Sequence, residues 1–378
     1  MADPRSAPWA RSESVRGFHS MRIAQIAPLH EAVPPKLYGG TERVVSYLTE
    51  ELVAIGHQVT LFASGDSVTS ARLHAVWPRS LRLDPAMRDV IAPHMLMMEE
   101  VRQRAEDFDV LHFHLDYWPF SIFTRQRVPF VTTLHGRLDL PELQPVFDAF
   151  RDVPVVSISN AQRRALPQAG FVATVPHGIP ERALAPQPQV TPTYLAFLGR
   201  IAPEKAPDRA IRIARACGIP LRIAAKVDKA DQHYFDAVIR PMLDCPGVEM
   251  IGEISDREKP AFLSGAIGLL MPIDWPEPFG LVMIEAMSCG TPVIAFDRGS
   301  VPEVIEDGLT GFIVEDEAAA IAAVGCLDRL DRATVRARFE QRFTARRMAE
   351  DYLATYNRLA ADDRSIARRR LQLVGSAR

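Results

Sequence analysis

Two carboxylates and two cations open the chemical reading. In Glu277-Pro-Phe-Gly-Leu-Val-Met-Ile-Glu285 the acids stand either side of what reads as a helix opening at Pro278, Phe279 and Gly280. The free amides of Gly280, Leu281 and Val282 would then point into a cleft. A helix start presents N–H donors and partial positive charge, which suits a pyrophosphate. Glu277 lies before the helix and Glu285 about two turns into it, so they reach different parts of one ligand. Carboxylates accept hydrogen bonds from paired hydroxyls, as on a sugar or ribose ring. One such Glu alone would read as a solvated residue of a capped surface helix; the pair favours ligand binding.

The cations are in Gly199-Arg200-Ile-Ala-Pro-Glu-Lys205, directly after an apolar run. Glycine at a strand end admits a ligand to the backbone. Arg200 can fork two phosphate oxygens and Lys205 adds a point charge. Surface cations on a strand-end turn are common, so the phosphate reading leans on the first segment. Tyr38-Gly39-Gly40-Thr-Glu42 precedes a helix and allows close approach to a phosphate or sugar, although an ordinary tight turn explains it nearly as well. It lacks the Gly-x-Gly-x-x-Gly spacing of a dinucleotide loop. His135, in Thr132-Thr-Leu-His-Gly136, stands at a strand end and would face the cleft. His112 and His114 share one face of a strand. They lack further metal ligands, so His112 reads as core and His114 as cleft lining. Asp116, Tyr117 and Trp118 suit a carbohydrate acceptor pocket, and two buried aromatics explain them equally.

The elements that must position these residues alternate. Apolar runs at 22–27, 58–63, 110–113, 130–134 and 153–157 read as strands. Residues 41–55 form a helix with Val44, Val45, Leu48, Leu52 and Val53 on one face, ended by Gly56. A second series has strands at 194–198, 221–225, 248–251, 267–271 and 293–296. Residues 185–193, with three prolines, form a stiff connector between the series. The pattern predicts an α/β fold of two doubly wound, Rossmann-like domains, residues 21–185 and 186–344, facing a central cleft. Residues 344–369 read as a charged amphipathic helix. Residues 1–20 read as a disordered extension.

Composition is that of a globular protein, 47% hydrophobic and 24% charged over 378 residues. The net charge of −3 gives no drive toward nucleic acid. Four cysteines without metal-ligand spacing read as reduced thiols. No apolar run approaches a membrane span, and no secretory signal is visible. A cytoplasmic protein is expected. A peripheral contact at the inner membrane surface stays open.

These residues resemble family 4 of the retaining glycosyltransferases, which have the GT-B fold. The resemblance runs from residue 21 to about residue 359. Its most specific motif is Glu-x7-Glu (Glu277, Glu285), then Arg-x4-Lys (Arg200, Lys205), the Gly39-Gly40 loop and His135. It implies that Glu277 contacts donor-sugar hydroxyls and Glu285 the ribose. Arg200 and Lys205 would stabilise the leaving diphosphate, helped by the amides of Leu281 and Val282. Gly40 would approach the donor phosphate and His135 the donor sugar, with Glu253 and Ile254 beside the nucleobase. The last helix, residues 348–359, would cross back onto the first domain. The donor would be a nucleotide sugar, UDP by preference, and the acceptor a hydroxyl of a saccharide, lipid or small molecule. No metal is implied. Ala206 stands where many relatives carry Gly, for which a small backbone effect is expected. Lys226 replaces part of a Gly-rich turn and reads as an extra phosphate or base contact, or a surface lysine. A phosphorylase, a sugar-nucleotide epimerase and a silent sugar-nucleotide-binding protein are the rival readings.

Overall fold

The computed structural model describes residues 20–36, 39–82 and 84–375, with side chains through residue 361. Tyr38 and residues 1–19 of the predicted extension lie outside the described residues.

Two all-parallel sheets organise the chain. The first has strands β1 (Arg22–Ile26), β2 (Gln58–Ser64), β3 (Arg72–Trp77), β4 (Val110–Phe113), β5 (Phe130–Thr133), β6 (Val155–Ser157) and β7 (Phe171–Thr174), in the order β3-β2-β1-β4-β5-β6-β7. The second has β8 (Tyr194–Arg200), β9 (Leu221–Lys226), β10 (Val248–Gly252), β11 (Ala266–Met271), β12 (Val293–Phe296) and β13 (Gly311–Val314), in the order β10-β9-β8-β11-β12-β13. Near-continuous apolar runs such as Val-Ile-Ala-Phe in β12 suit strands covered by helices on both faces. Strand order reverses between β1 and β4 in the first sheet, and between β8 and β11 in the second. Those reversals open the crevices at which ligands of such sheets bind.

All ten predicted strands are present, with ends shifted by a residue or two. Three were not predicted, β3, β7 and β13, and each is a sheet edge. An edge strand has a neighbour on one side only. β7, Phe-Val-Ala-Thr, is half-buried throughout, so its apolar signal is weak.

The helix Gly40–Ile55 buries Val44, Val45, Leu48 and Leu52, and ends where the Gly56 N–H bonds Leu52 and Val53 in a left-handed cap. The final helix, Ala345–Gly375, follows the second sheet in sequence yet packs on the first. Its Met348, Tyr352 and Tyr356 are fully buried with Ile23, Leu48, Val110 and Val131. The chain re-enters beside residues 176–179: Arg347 donates to the Pro176 carbonyl at 2.6 Å, and Ile179 pairs with Thr344. Truncating Met348 to Ala would cost about 2–5 kcal/mol, since it removes buried apolar atoms and leaves a cavity.

Candidate active site

A cavity of about 590 Å³ lies between the carboxyl ends of the two sheets. That size suits a small organic ligand. Its second-sheet side is built from the strands flanking the reversal. β8 ends at Arg200, and a single 3-10 turn, Pro203–Lys205, follows. β11 leads into a loop carrying Trp275 and Glu277 and then into the helix Leu281–Ser288.

The helix begins at Leu281, three residues later than Pro278, where the sequence placed its opening. Gly280 is the reason: it is left-handed, with φ 78°. A side chain there would bring a Cβ to 2.7 Å from the Met283 methyl and 2.9 Å from that of Met271. The first-turn amides are therefore those of Leu281 onward, and both Leu281 and Val282 line the cavity. Leu281 meets Gly40 from the first sheet's opening helix, where an added Cβ would lie 3.5 Å from Leu281 Cδ1. The two helix starts therefore face one space.

Charges on this side are paired among themselves. Lys205 bonds Glu277 Oε2, and the Trp275 indole N–H donates to the same oxygen at 3.0 Å. Lys205 also lies over the Trp275 ring, 4.7 Å from its centre. Arg200 bonds Asp231 and Glu204. Glu285 is buried at 4% exposure and accepts from Lys259 Nζ at 2.6 Å. Lys259 reaches Asp256 at 3.0 Å, and Arg43, from the first sheet's opening helix, also bonds Asp256. Each of these two buried side chains, Glu285 and Lys259, thus has a hydrogen-bonded partner, without which its burial would be costly. Lys226 lines the cavity and pairs with Asp228 at 2.9 Å; Glu253 and Ile254 line it nearby.

The first-sheet side carries Glu42, Arg43, Arg82 and Asp116 at the cavity, and beside them a cluster of uncharged histidines. His114 and His135, at the ends of β4 and β5, bond through Nδ1 and Nε2 at 2.8 Å. His135 stacks on His177 at 5.3 Å, and His177 meets the Phe279 ring edge at 4.9 Å. Burial pushes His114 and His177 well below the ordinary imidazole value, reinforced by the neighbouring histidines. Burial also lowers His135 to about 3. Asp116 is exposed and lines the cavity. The protein packed around the cleft nevertheless pushes its carboxyl up to about 6, against a hydrogen bond from the His135 backbone N–H. His112 is fully buried, bonded to Tyr356 and Thr133.

Of the predicted residues, Tyr117 and Trp118 do not line the cavity. Tyr117 is 40% exposed outside it, and Trp118 packs on the first core with its ring edge on His94. Gly39, Gly40, His114, Asp116, His135, Arg200, Lys205, Lys226, Glu253, Ile254, Glu277, Phe279, Gly280, Leu281, Val282 and Glu285 all line it. His177, Lys259, Arg43 and Trp275 also line the cavity or reach its charged groups and were not foreseen. His177 had a visible signal: His177-Gly178 follows β7 much as His135-Gly136 follows β5. Lys259 had none, since its partner Glu285 is distant in sequence.

Two facing parallel-sheet units with a ligand-sized cleft at their switch points form the GT-B fold of glycosyltransferases. Residues 38–183 match the Glycosyltransferase Family 4 model and residues 183–342 the Glycosyl transferases group 1 model, running on without a gap. The chain belongs to glycosyltransferase family 4. It is 27% identical over 339 residues to a phosphatidyl-myo-inositol mannosyltransferase of Mycobacterium leprae, covering 82% of this chain and 88% of that one. It is 33% identical over 182 residues to a D-inositol 3-phosphate glycosyltransferase of Mycolicibacterium smegmatis, 45% of this chain and 41% of that protein. The Anabaena protein HepE, solved with UDP-glucose, shares the fold with TM-score 0.69 at 18% identity, over 89% of this chain and 99% of its own. Among the described residues no helix is long and apolar enough to cross a membrane.

Proposed function

We propose that this glycosyltransferase moves a hexose from a UDP-sugar to a hydroxyl of a saccharide, lipid or small-molecule acceptor, with retention at the anomeric carbon. The observation that carries the reading is the gathering of Arg200, Lys205, Glu277, Glu285 and the first-turn amides at Leu281 and Val282 around one cavity. The UDP-glucose bound to HepE supports the nucleotide, and the inositol compounds in both relatives' names support a hydroxyl acceptor.

In this reading Glu285 accepts from the ribose hydroxyls and Glu277 from the sugar hydroxyls. Glu253 and Ile254 lie beside the base, with Lys226 at its edge or at a phosphate. Phe279 and Gly280 shape the turn that brings the amides of Leu281 and Val282 to the diphosphate, and Gly39 and Gly40 approach it from the other side. The bond from the anomeric carbon to the diphosphate breaks ahead of attack. Arg200 and Lys205 exchange their carboxylate partners for the departing phosphate oxygens and stabilise the developing charge. The acceptor hydroxyl adds on the same face and passes its proton to a phosphate oxygen. The anomeric centre becomes positive as this happens. Neutral histidines beside it avoid the repulsion an imidazolium would bring. Residues 21–185 and 186–344 would act as acceptor-side and donor-side domains, with residues 345–378 returning to the first.

A thermal-shift screen with UDP-, GDP- and ADP-sugars tests the donor, since saturating ligand stabilises the fold by a few kcal/mol. Stabilisation by GDP-sugars alone would overturn the UDP reading. Proton NMR of the product tests retention, and an inverted anomer would overturn it. The two cations supply positive charge at the diphosphate, so turnover should survive excess EDTA. Loss restored by Mg²⁺ would contradict that part.

A further inference from the structure

Beneath the first-sheet side of the cleft runs a buried chain of hydrogen bonds that the proposed chemistry does not use. It begins on the final helix and ends at His135. Gln25 on β1, fully buried, is its branch point. The Gln25 side-chain N–H donates to the Tyr356 hydroxyl at 3.1 Å, and its Oε1 faces His114 Nε2 at 2.8 Å. Tyr356 lies 2.7 Å from His112 Nδ1, and His112 Nε2 lies 2.7 Å from the Thr133 hydroxyl. Thr133 continues to the Tyr352 hydroxyl at 2.9 Å.

Each neutral imidazole has one proton and one lone pair, so a donor fixed at one place fixes the rest. Gln25 Oε1 can only accept, so His114 carries its proton on Nε2. His114 Nδ1 is then a lone pair, and His135 must donate to it from Nε2. That leaves His135 Nδ1 unprotonated. The other branch agrees: Tyr356 receives from Gln25 and gives its proton to His112 Nδ1, so His112 donates from Nε2 to Thr133. Hydroxyls and imidazoles can reverse such a chain by moving protons. An amide reverses only by turning over, so Gln25 is the member that sets direction. The end of the chain favours the same sense. His135 Nδ1 is buried with no partner among the described residues. A lone pair left there costs less than an orphaned N–H.

We propose that Gln25 is a positioning residue that fixes the tautomer of His135, leaving Nε2 the donor and Nδ1 the acceptor. The proposal rests on the reading of His135 as a donor-sugar contact. It gives the final helix, through Tyr356, a direct polar link to the site.

The test uses the full chain labelled with ¹⁵N-histidine, read by two-bond ¹H–¹⁵N correlation at neutral pH. In the unaltered protein His135 should show an unprotonated Nδ1 and a protonated Nε2; a protonated Nδ1 would overturn the proposal without any variant. Gln25→Leu removes both amide partners and should give mixed or reversed tautomers at His135. Gln25→Glu keeps an acceptor toward His114 and should restore the original one. With UDP-glucose as donor, Gln25→Leu should lower kcat about tenfold, the worth of roughly one hydrogen bond, with KM for donor little changed. Gln25→Glu should recover most of the loss. An unchanged His135 tautomer in Gln25→Leu would overturn the role of Gln25. A changed tautomer with unchanged kcat would overturn the sugar contact of His135 and leave the relay standing, so the two failures are distinguishable.

Discussion

Arg200 and His135 occupy comparable places, each at the carboxyl end of a strand in a parallel sheet, β8 and β5. Their surroundings differ. Arg200 is in reach of three carboxylates, Glu204, Asp228 and Asp231. His135 lies among other neutral rings, with His114 bonded on one side and His177 stacked on the other. Around Arg200 charge is held in exchangeable pairs, while around His135 the hydrogen bonds join uncharged rings and hydroxyls. Ion pairs at a cleft can swap a carboxylate for a phosphate. A buried network of rings and hydroxyls cannot swap members, but it can hold one donor and acceptor pattern. In the proposed reading, this difference gives electrostatics to one group of residues and orientation to the other.

Removing charge from the ion-paired group should have the largest effect. Arg200→Ala should lower kcat by about 10²–10³-fold, as losing a preorganised contact to developing charge does; steady-state kinetics at saturating donor checks it. Glu285→Gln should weaken nucleotide binding by about 2 kcal/mol, the range of a hydrogen bond to a charged group, with a smaller change in kcat. Calorimetry with UDP reads this directly, and unchanged affinity would remove Glu285 from the ribose.

The histidine cluster should be silent to pH, while Asp116 beside it should not. With His135 lowered to about 3 and His114 and His177 pushed well down by burial, these three imidazoles should not titrate between pH 5 and 8. Asp116, raised to about 6, should give kcat/KM an acidic limb. Its carboxylate is present above that value and protonated below it, so activity should fall as pH drops through about 6. Asp116→Asn should flatten the limb. A limb that persists in that variant places the titrating group elsewhere.

The smallest effect concerns backbone strain beside Lys205. Ala206 is left-handed, with φ 49°, and buried. Ala206→Gly should stabilise the fold by about 0.5–1 kcal/mol, since the left-handed penalty slightly exceeds the entropy glycine adds to the unfolded chain. Denaturant melts would show it. The small backbone effect expected from sequence is thus given a direction.

Most strands were legible because parallel strands covered on both faces are written as unbroken apolar runs. Three edge strands, β3, β7 and β13, were not, although the fourth edge strand, β10, was. The Glu277–Glu285 segment and Arg200 with Lys205 were legible from type and spacing alone. The start of the helix after Glu277 was misplaced, because a left-handed Gly280 is indistinguishable in sequence from a first-turn residue. Tyr117 and Trp118 were drawn to the cleft by adjacency to Asp116, but Trp118 found a better partner in His94. Gln25 carried no signal at all. It lies in an apolar strand, and its partners on β4 and the final helix are far away in sequence.

The most direct test of the division between the two groups is the double variant Arg200→Ala/Lys205→Ala, assayed with saturating UDP-glucose after its folding has been verified by thermal melt. The account predicts that turnover falls more than about a thousandfold while the fold stays intact. Turnover near that of the unaltered protein would contradict it, and the ion-paired group would then hold the donor without driving its departure.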